Sequence, residues 1–271
     1  MMKCVLLTSS LLMLPAFGQF RENSTPELTC DNASKWNKGY GNSCDLREVK
    51  LPATQRLDID AGPNGGVTVR GWNRPEVWVR ARVEAHAKEG EAVAKELAGK
   101  VTLDTSAGRI AARGPETRGS ENWWSVSFEI FAPHRMDLSA RTTNGGVNLS
   151  DVEGQLRFST TNGGVNLARV AGDVQGRTTN GGLNVDLDGP RWQGSGLDVA
   201  TTNGGVNLHV PASYSADLRA ATTNGGFTSD FGAPARDEQG VRRKQYERVL
   251  GNGGPTVRVA TTNGGVRIKK K

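Results

Sequence analysis

Thr160-Thr161-Asn162-Gly163-Gly164-Val165-Asn166-Leu167 is the stretch that decides how this chain is read. Its first five residues recur unchanged from Thr142, Thr178, Thr201, Thr222 and Thr261, six copies in all. The asparagines of these copies, Asn144, Asn162, Asn180, Asn203, Asn224 and Asn263, follow one another at intervals of 18, 18, 23, 21 and 39 residues. Self-similarity at such a period marks a repeat architecture, in which each unit buries its apolar face only by stacking on its neighbours.

Period-two alternation on both sides of the motif predicts strands. Two residues before the first Thr stand Ala140, Phe158, Gly176, Val199, Ala220 and Val259, apolar or Gly in every copy, so that face and the first Thr point inward. Arg141, Ser159, Arg177, Ala200, Ala221 and Ala260 share the outward face with the second Thr. Beyond the glycines, Val147, Val165, Leu183, Val206, Phe227 and Val266 face inward, as do Leu149, Leu167, Val185, Leu208 and Ile268; Ser229 alone breaks the inner row. Between the two rows Asn148, Asn166, Asn184, Asn207, Thr228 and Arg267 face water.

Asn-Gly-Gly between two such strands is expected to supply the positive φ of a tight turn or corner. In a meander each copy would be a type I′ hairpin. In a β-solenoid each would be a coil corner, and identical corners would stack about 4.8 Å apart, Thr on Thr and Asn on Asn in hydrogen-bonded ladders. The 18-residue spacing suits one coil of short strands, and only stacking gives a reason for identical corners. The expected fold class is therefore all-β, a β-solenoid (β-helix-like) across 136–271, with a meander or sandwich as the alternative. The six asparagines are then structural turn residues.

Residues 51–135 read as an N-terminal β cap region. Leu57, Ile59, Asn64-Gly65-Gly66, Val67 and Val69 form a degenerate repeat; Val77, Val79, Ala81, Val83 and Ala85 alternate in a longer strand. Glu91 to Ala98 is the one expected helix, before Leu103, Ile110, Val126, Phe128 and Ile130 return to alternation. A cap is needed because a bare terminal coil exposes its core and an unpaired edge. Phe131-Ala132-Pro133 followed by Asp137-Leu138 and Thr142 is echoed by His209-Val210-Pro211, Asp217-Leu218 and Thr222. The charged insertion at 230–254 is expected to be an exposed loop or short helix.

Residues 1–18 have the pattern of a signal peptide: Lys3, an apolar stretch from Val5 to Phe17, then Ala16-Phe17-Gly18, with the mature chain starting near Gln19. Export makes Cys30 and Cys44 an even pair in an oxidising compartment, read as one disulfide across the polar 19–50 segment. Closing a loop of about 15 residues is worth about 3 kcal/mol in the chain-entropy account. No later segment is apolar enough to span a membrane, so a periplasmic, surface or secreted location is expected. The formal charge is +6, with Arg242-Arg243-Lys244 and Lys269-Lys270-Lys271 as its basic runs. Such runs on an exported protein suit anionic glycans, phospholipid headgroups or other cell-surface components rather than nucleic acid.

At this point the chain resembles the bacterial adhesin-like family of the DUF4097 type, akin in character to auto-transporter adhesin head domains. The resemblance rests on the alternating N-terminal strands, on Phe131-Ala132-Pro133 leading into Leu138 and Thr142 to Val147, and on Thr-Asn-Gly-Gly followed by hydrophobic-x-hydrophobic. It covers roughly 52–270. What it implies is a β-solenoid-like fold at the bacterial envelope, with no catalytic residues to carry over.

Other chemistry finds little support. His86, His134 and His209 lack metal-ligand spacing, and no cofactor or metal is expected. Ser195 in Gly194-Ser195-Gly196 lacks a nucleophile elbow, and no P-loop or dinucleotide fingerprint occurs. Asp58 with Asp60, and Asp186 with Asp188, alternate on strands and could serve Ca²⁺ or a sugar, with a solvated face as the plainer role. Trp72, Trp78, Trp123-Trp124 and Trp192 could stack on sugars, with packing the plainer role. An ice-binding array ranks last, because Arg, Ser or Ala replaces the second Thr row a double array needs. The expected function is a non-enzymatic, exported, adhesin-like scaffold binding surfaces, glycans or proteins through its repeat face or the 230–254 insertion. A carbohydrate-active solenoid lyase or hydrolase is the alternative.

Overall fold

The computed structural model describes residues 24–31, 39–106, 108–117, 121–235, 238–239 and 244–271. The expected signal peptide and its cleavage point lie outside these residues, as do Arg242 and Arg243. In chain order the first elements are β1 (Gly41–Pro52), β2 (Arg56–Asp60), β3 (Val67–Trp72), β4 (Glu76–Ala87), the helix α1 (Glu91–Gly99), β5 (Thr102–Asp104), β6 (Arg109–Arg113) and β7 (Trp123–Pro133). Then come β8 (Asp137–Arg141), β9 (Val147–Ser150), β10 (Glu153–Thr160), β11 (Val165–Ala168), β12 (Ala171–Asn180), β13 (Leu183–Asp186), β14 (Gly196–Asn203) and β15 (Val206–Val210). The last are β16 (Ala216–Thr222), β17 (Phe227–Ser229), β18 (Gln245–Leu250), β19 (Thr256–Asn263) and β20 (Val266–Lys270).

The all-β expectation holds: among the described residues the strands form two sheets of ten. One runs β1-β4-β7-β3-β9-β11-β13-β15-β20-β17 and the other β18-β16-β19-β14-β12-β10-β8-β2-β6-β5. The strands flanking each Thr-Thr-Asn-Gly-Gly corner lie in different sheets, which excludes the hairpin meander. Each corner carries the chain from the second sheet to the first, and successive corners stack because the strands on either side pair in parallel and in register. Thus Val147 lies beside Val165, Val165 beside Leu183, Leu183 beside Val206, Val206 beside Val266, and Val266 beside Phe227. Asn64-Gly65-Gly66 joins the same stack through a bridge to Asn144.

The core lies between the sheets. Its rows are the inward residues predicted by alternation, now extended by Leu57, Ile59, Val67 and Val69, and all of them are buried. Adjacent rungs compensate in size: a Cβ on Gly176 would stand 2.3 Å from the Phe158 ring, so the large residue of one coil fills space left by its neighbour. Among the described residues no helix is long and apolar enough to cross a membrane.

Spatial order departs from chain order at both ends. The final coil, β19–β20, is inserted between β14–β15 and β16–β17, although its motif comes last in the sequence. At the other end β2–β3 lies between β6–β7 and β8–β9. The two copies of the Pro and Asp-Leu echo occupy equivalent places, at β7 to β8 and at β15 to β16. Each of these connections steps over one coil position. The 230–254 insertion corrects the expectation of a loop or helix: Gln245–Leu250 is a strand, antiparallel to β16. It covers the outer edge of β16, an edge that would otherwise offer unpaired backbone groups, and turns the chain back to fill the vacant coil.

The 19–50 segment is less separate than its polarity suggests, since Gly41 to Pro52 pairs along its whole length with β4. Cys30 and Cys44 are joined by a disulfide. The chain before it lies on the outer face of the first sheet, where the carboxylate of Glu129 accepts the backbone N–H groups of Glu27 (2.9 Å) and Leu28 (3.1 Å). Arg80 donates to the same carboxylate at 2.7 Å. Glu129 is only 2 % exposed, so these donors satisfy a charge that burial would otherwise penalise.

Candidate binding edge

Each residue of the corner motif has a distinct environment. The first Thr is buried, and its hydroxyl donates to the carbonyl of the first Gly of the adjoining coil. The distances are 2.6 Å for Thr142 to Gly65 and 2.8 Å for Thr160, Thr178, Thr201, Thr261 and Thr222 to Gly145, Gly163, Gly181, Gly204 and Gly264. This corrects the expectation of a Thr-on-Thr ladder. A buried hydroxyl beside a carbonyl left free by the corner is better satisfied by that carbonyl than by its own kind.

The asparagines do form the expected ladder. Each side-chain amide donates to the Oδ1 of the next: Asn144 to Asn64 (3.0 Å), Asn162 to Asn144 (2.7 Å), Asn180 to Asn162 (2.7 Å) and Asn203 to Asn180 (2.8 Å). Asn263 donates to Asn203 at 2.7 Å and Asn224 to Asn263 at 2.9 Å, so the ladder follows spatial order. A second ladder runs Asn207 to Asn184 to Asn166 to Asn148 and ends on the Thr68 hydroxyl.

The glycines overturn the expectation of positive φ. Across the six complete copies neither glycine has it; in the degenerate copy Gly65 does, at 142°. The first Gly is required by close approach instead, for a Cβ on Gly163 would lie 1.9 Å from the Gly145 carbonyl oxygen, and one on Gly204 would lie 2.1 Å from that of Gly181. The second Gly is far less constrained, and is tightest at Gly146, where a Cβ would stand 3.2 Å from the Gly164 carbonyl oxygen. A Cβ on Gly164, Gly182 or Gly205 would meet its nearest atom at 3.6, 3.7 and 3.5 Å, and one on Gly226 would meet nothing within 4 Å. The second Thr is likewise free of structural duty: Thr143, Thr161, Thr179, Thr202, Thr223 and Thr262 are exposed. Along the edge, exposed hydroxyls, ladder amides, a bare glycine row and a second amide row therefore run side by side.

Several of the remaining residues singled out from the sequence have partners elsewhere. Asp58 pairs with Arg56, Asp60 with Arg141, and Asp186 with Lys271. Among the described residues no group of three His, Cys, Asp or Glu side chains is placed to hold a metal. His86 is buried against Trp123, with ring centroids 3.9 Å apart, and shares a hydrogen bond with Asn42. His134 contacts the Asp151 carbonyl oxygen through Nδ1 at 2.6 Å. The indole N–H groups of Trp72, Trp124 and Trp192 donate to the carbonyls of Glu76, Pro115 and Gly172, and Trp78 stacks on Phe131. These aromatics serve packing.

Two features were missed in the sequence. At the opposite corners Asp151 and Arg169 adopt positive φ (58° and 52°) and form a two-pronged ion pair at 2.6 and 2.7 Å. The Asp151 hydrogen bonds push the Arg169 guanidinium pKa further up. The second is a groove of about 610 Å³ at the β17 end of the edge, lined by Asn207, Gly226, Thr228, Lys244, Gly265 and Arg267 among others. Its signal was present in the sequence, since Arg267 brings the only charge into a row otherwise made of Asn and Thr.

A family model described as Toastrack DUF4097 matches residues 48–269. Among solved structures, the chain is similar to a candidate cell adhesion protein of Clostridium sporogenes at 13% identity and TM-score 0.46, covering 84% of this chain and 100% of that one. A candidate adhesin of Bacteroides fragilis matches at 10% identity and TM-score 0.45, covering 84% and 97%. A candidate lipid-binding protein of Parabacteroides distasonis matches at 9% identity and TM-score 0.37, covering 83% and 96%. No curated protein matches the chain.

Proposed function

Because this chain belongs to the Toastrack DUF4097 family, we propose that it is an exported, adhesin-like scaffold of the bacterial envelope, non-catalytic, binding glycans through the corner edge of its repeats. In this reading residues 1–18 are a signal peptide, 51–135 cap the stack, and 136–271 form a β-solenoid of Thr-Thr-Asn-Gly-Gly coils. The observation that carries it is the pair of rows with no architectural task. The second Thr is exposed in each of the six copies, and in five of the six a Cβ on the second Gly would meet nothing closer than 3.5 Å, yet both recur unchanged. A ligand lying along the edge gives these rows a use: hydroxyls and ladder amides to hydrogen-bond it, and a glycine row that lets it approach the backbone.

The geometry favours a saccharide over a peptide. An extended peptide advances about 3.3 Å per residue, whereas the coils repeat at about 4.8 Å, so a peptide running along the stack falls out of register within a few residues. A 1→4-linked pyranose chain advances by nearly one coil per ring. The Cys30–Cys44 disulfide supports an oxidising, extracytoplasmic compartment. The carbohydrate-active alternative needs two carboxylates free to act on one substrate, whereas Asp58, Asp60 and Asp186 are each engaged by a cation.

The test is a glycan array with the full chain and with a Thr161→Ala, Thr179→Ala, Thr202→Ala variant. Wild type should capture oligosaccharides, and the variant should bind them about tenfold more weakly at an unchanged urea midpoint, as expected for losing exposed hydrogen bonds to ligand only. Undiminished capture by the variant would remove the edge from consideration.

A further inference from the structure

The polar rows of the edge are uncharged until they reach the last coils in space. There the second amide row passes from Asn207 to Arg267 and then to Thr228, its in-register neighbours on β20 and β17. The same three side chains, with Lys244, line the groove of about 610 Å³, and among the described residues no carboxylate is in its lining. Lys244 is held there by a 2.7 Å hydrogen bond from its ammonium group to the Gly225 carbonyl oxygen, which leaves two of its three donors available. The floor includes Gly226 and Gly265, where no side chain stands between a ligand and the backbone.

Asn207 completes the site. Its amide donates to Asn184, but the rung that would donate to its own Oδ1 is Arg267 rather than Asn, and among the described residues no hydrogen bond reaches that oxygen. Arg267 itself has no carboxylate partner among the described residues, whereas its neighbours Lys269 and Lys271 are paired with Asp230 and Asp186. Two cations, one free amide oxygen, one hydroxyl and a bare floor make a site for a group that is anionic and rich in hydroxyls.

We propose that this groove binds the acidic residue of a saccharide, its carboxylate held by Arg267 and Lys244 and its hydroxyls by the Asn207 amide oxygen and the Thr228 hydroxyl. Arginine presents a planar fork matched to a carboxylate, so its contact adds orientation to charge. The proposal rests on the edge being a glycan-binding face and assigns its end a preference for acidic sugars.

Calorimetry with the full chain tests it, using hexagalacturonate, its neutral methyl ester, inorganic phosphate and vesicles of phosphatidylglycerol as probes. Arg267→Asn is the decisive variant, because the new amide can donate to Asn207 and continue the ladder, which keeps the fold. It should weaken hexagalacturonate binding about tenfold, as should Lys244→Gln, in line with the loss of one charge-assisted hydrogen bond. Lys95→Gln on the exposed face of α1 removes the same charge elsewhere and should leave binding unchanged. The methyl ester should bind wild type at least about tenfold more weakly than the acid.

Equal binding of acid and ester, an unaffected Arg267→Asn variant, or an equal loss in Lys95→Gln would overturn the groove assignment. So would capture of vesicles or phosphate without hexagalacturonate, which would make the groove a phosphate or headgroup site. If wild type still captures neutral oligosaccharides in any of these cases, the binding edge stands and only its acidic end is lost. Failure to bind acidic and neutral saccharides alike would remove both.

Discussion

A Cβ on Gly163 would lie 1.9 Å from the Gly145 carbonyl oxygen, whereas one on Gly164 would find the Gly182 carbonyl oxygen at 3.6 Å. The first position is closed to any side chain because the adjoining coil's backbone cannot retreat without breaking its own pairing. Gly163→Ala is therefore expected to cost about 3 kcal/mol, the upper range for overpacking. Gly164→Ala should stay within about 0.5 kcal/mol. Equal urea midpoints for the two variants would refute the close-approach account. The sequence showed that both glycines matter but pointed to the wrong reason, since an approach between residues 18 apart is invisible until the neighbouring coil is known. The ladder gives a second contrast. Asn162 both donates to Asn144 and accepts from Asn180, while Asn224 ends the ladder with one bond to Asn263. Asn162→Ala should cost about 1–2 kcal/mol and Asn224→Ala about half as much, measured by the same unfolding curves.

Among the elements, the long hairpin-like pairing of β4 with β7 carries a pH-sensitive contact. Burial pushes the His86 imidazole below its ordinary value of 6.5, with the charge of Glu84 opposing the shift more weakly. The unfolded chain then binds a proton at a pH where the folded chain does not. The stability linked to neutral His86 is present above about pH 6.5 and is lost as the pH falls through the lowered folded value. Urea midpoints should drop between about pH 7.5 and pH 5.5, and His86→Gln should flatten that slope. An identical slope in the variant would assign the effect to other groups. Element boundaries were largely legible: the helix was expected from Glu91 to Ala98 and runs to Gly99. Strand β18 was not, because Tyr246, Val249 and Leu250 alternate too poorly amid Glu247 and Arg248 to distinguish an edge strand from a charged loop.

For the whole molecule, stacking of identical corners could be read from the motif, but the order of the stack could not. Nothing local in Thr261 to Gly265 distinguishes a final coil from an inserted one, because all copies offer the same corner to either neighbour. In that order β18 covers the outer edge of β16, and the chain returns from it to the position beside β14 and β15. Both the continuous edge and its basic end depend on that order, for only an inserted β20 brings Arg267 between Asn207 and Thr228. Paired cysteines at the exposed second-Thr positions measure it directly. In-register neighbours about 4.8 Å apart lie within disulfide reach, and positions two coils apart, at about twice that, do not. Oxidation should crosslink the Thr202→Cys, Thr262→Cys variant and leave Thr202→Cys, Thr223→Cys uncrosslinked. Crosslinking of the second pair and not the first would return the coils to chain order and dissolve the proposed groove.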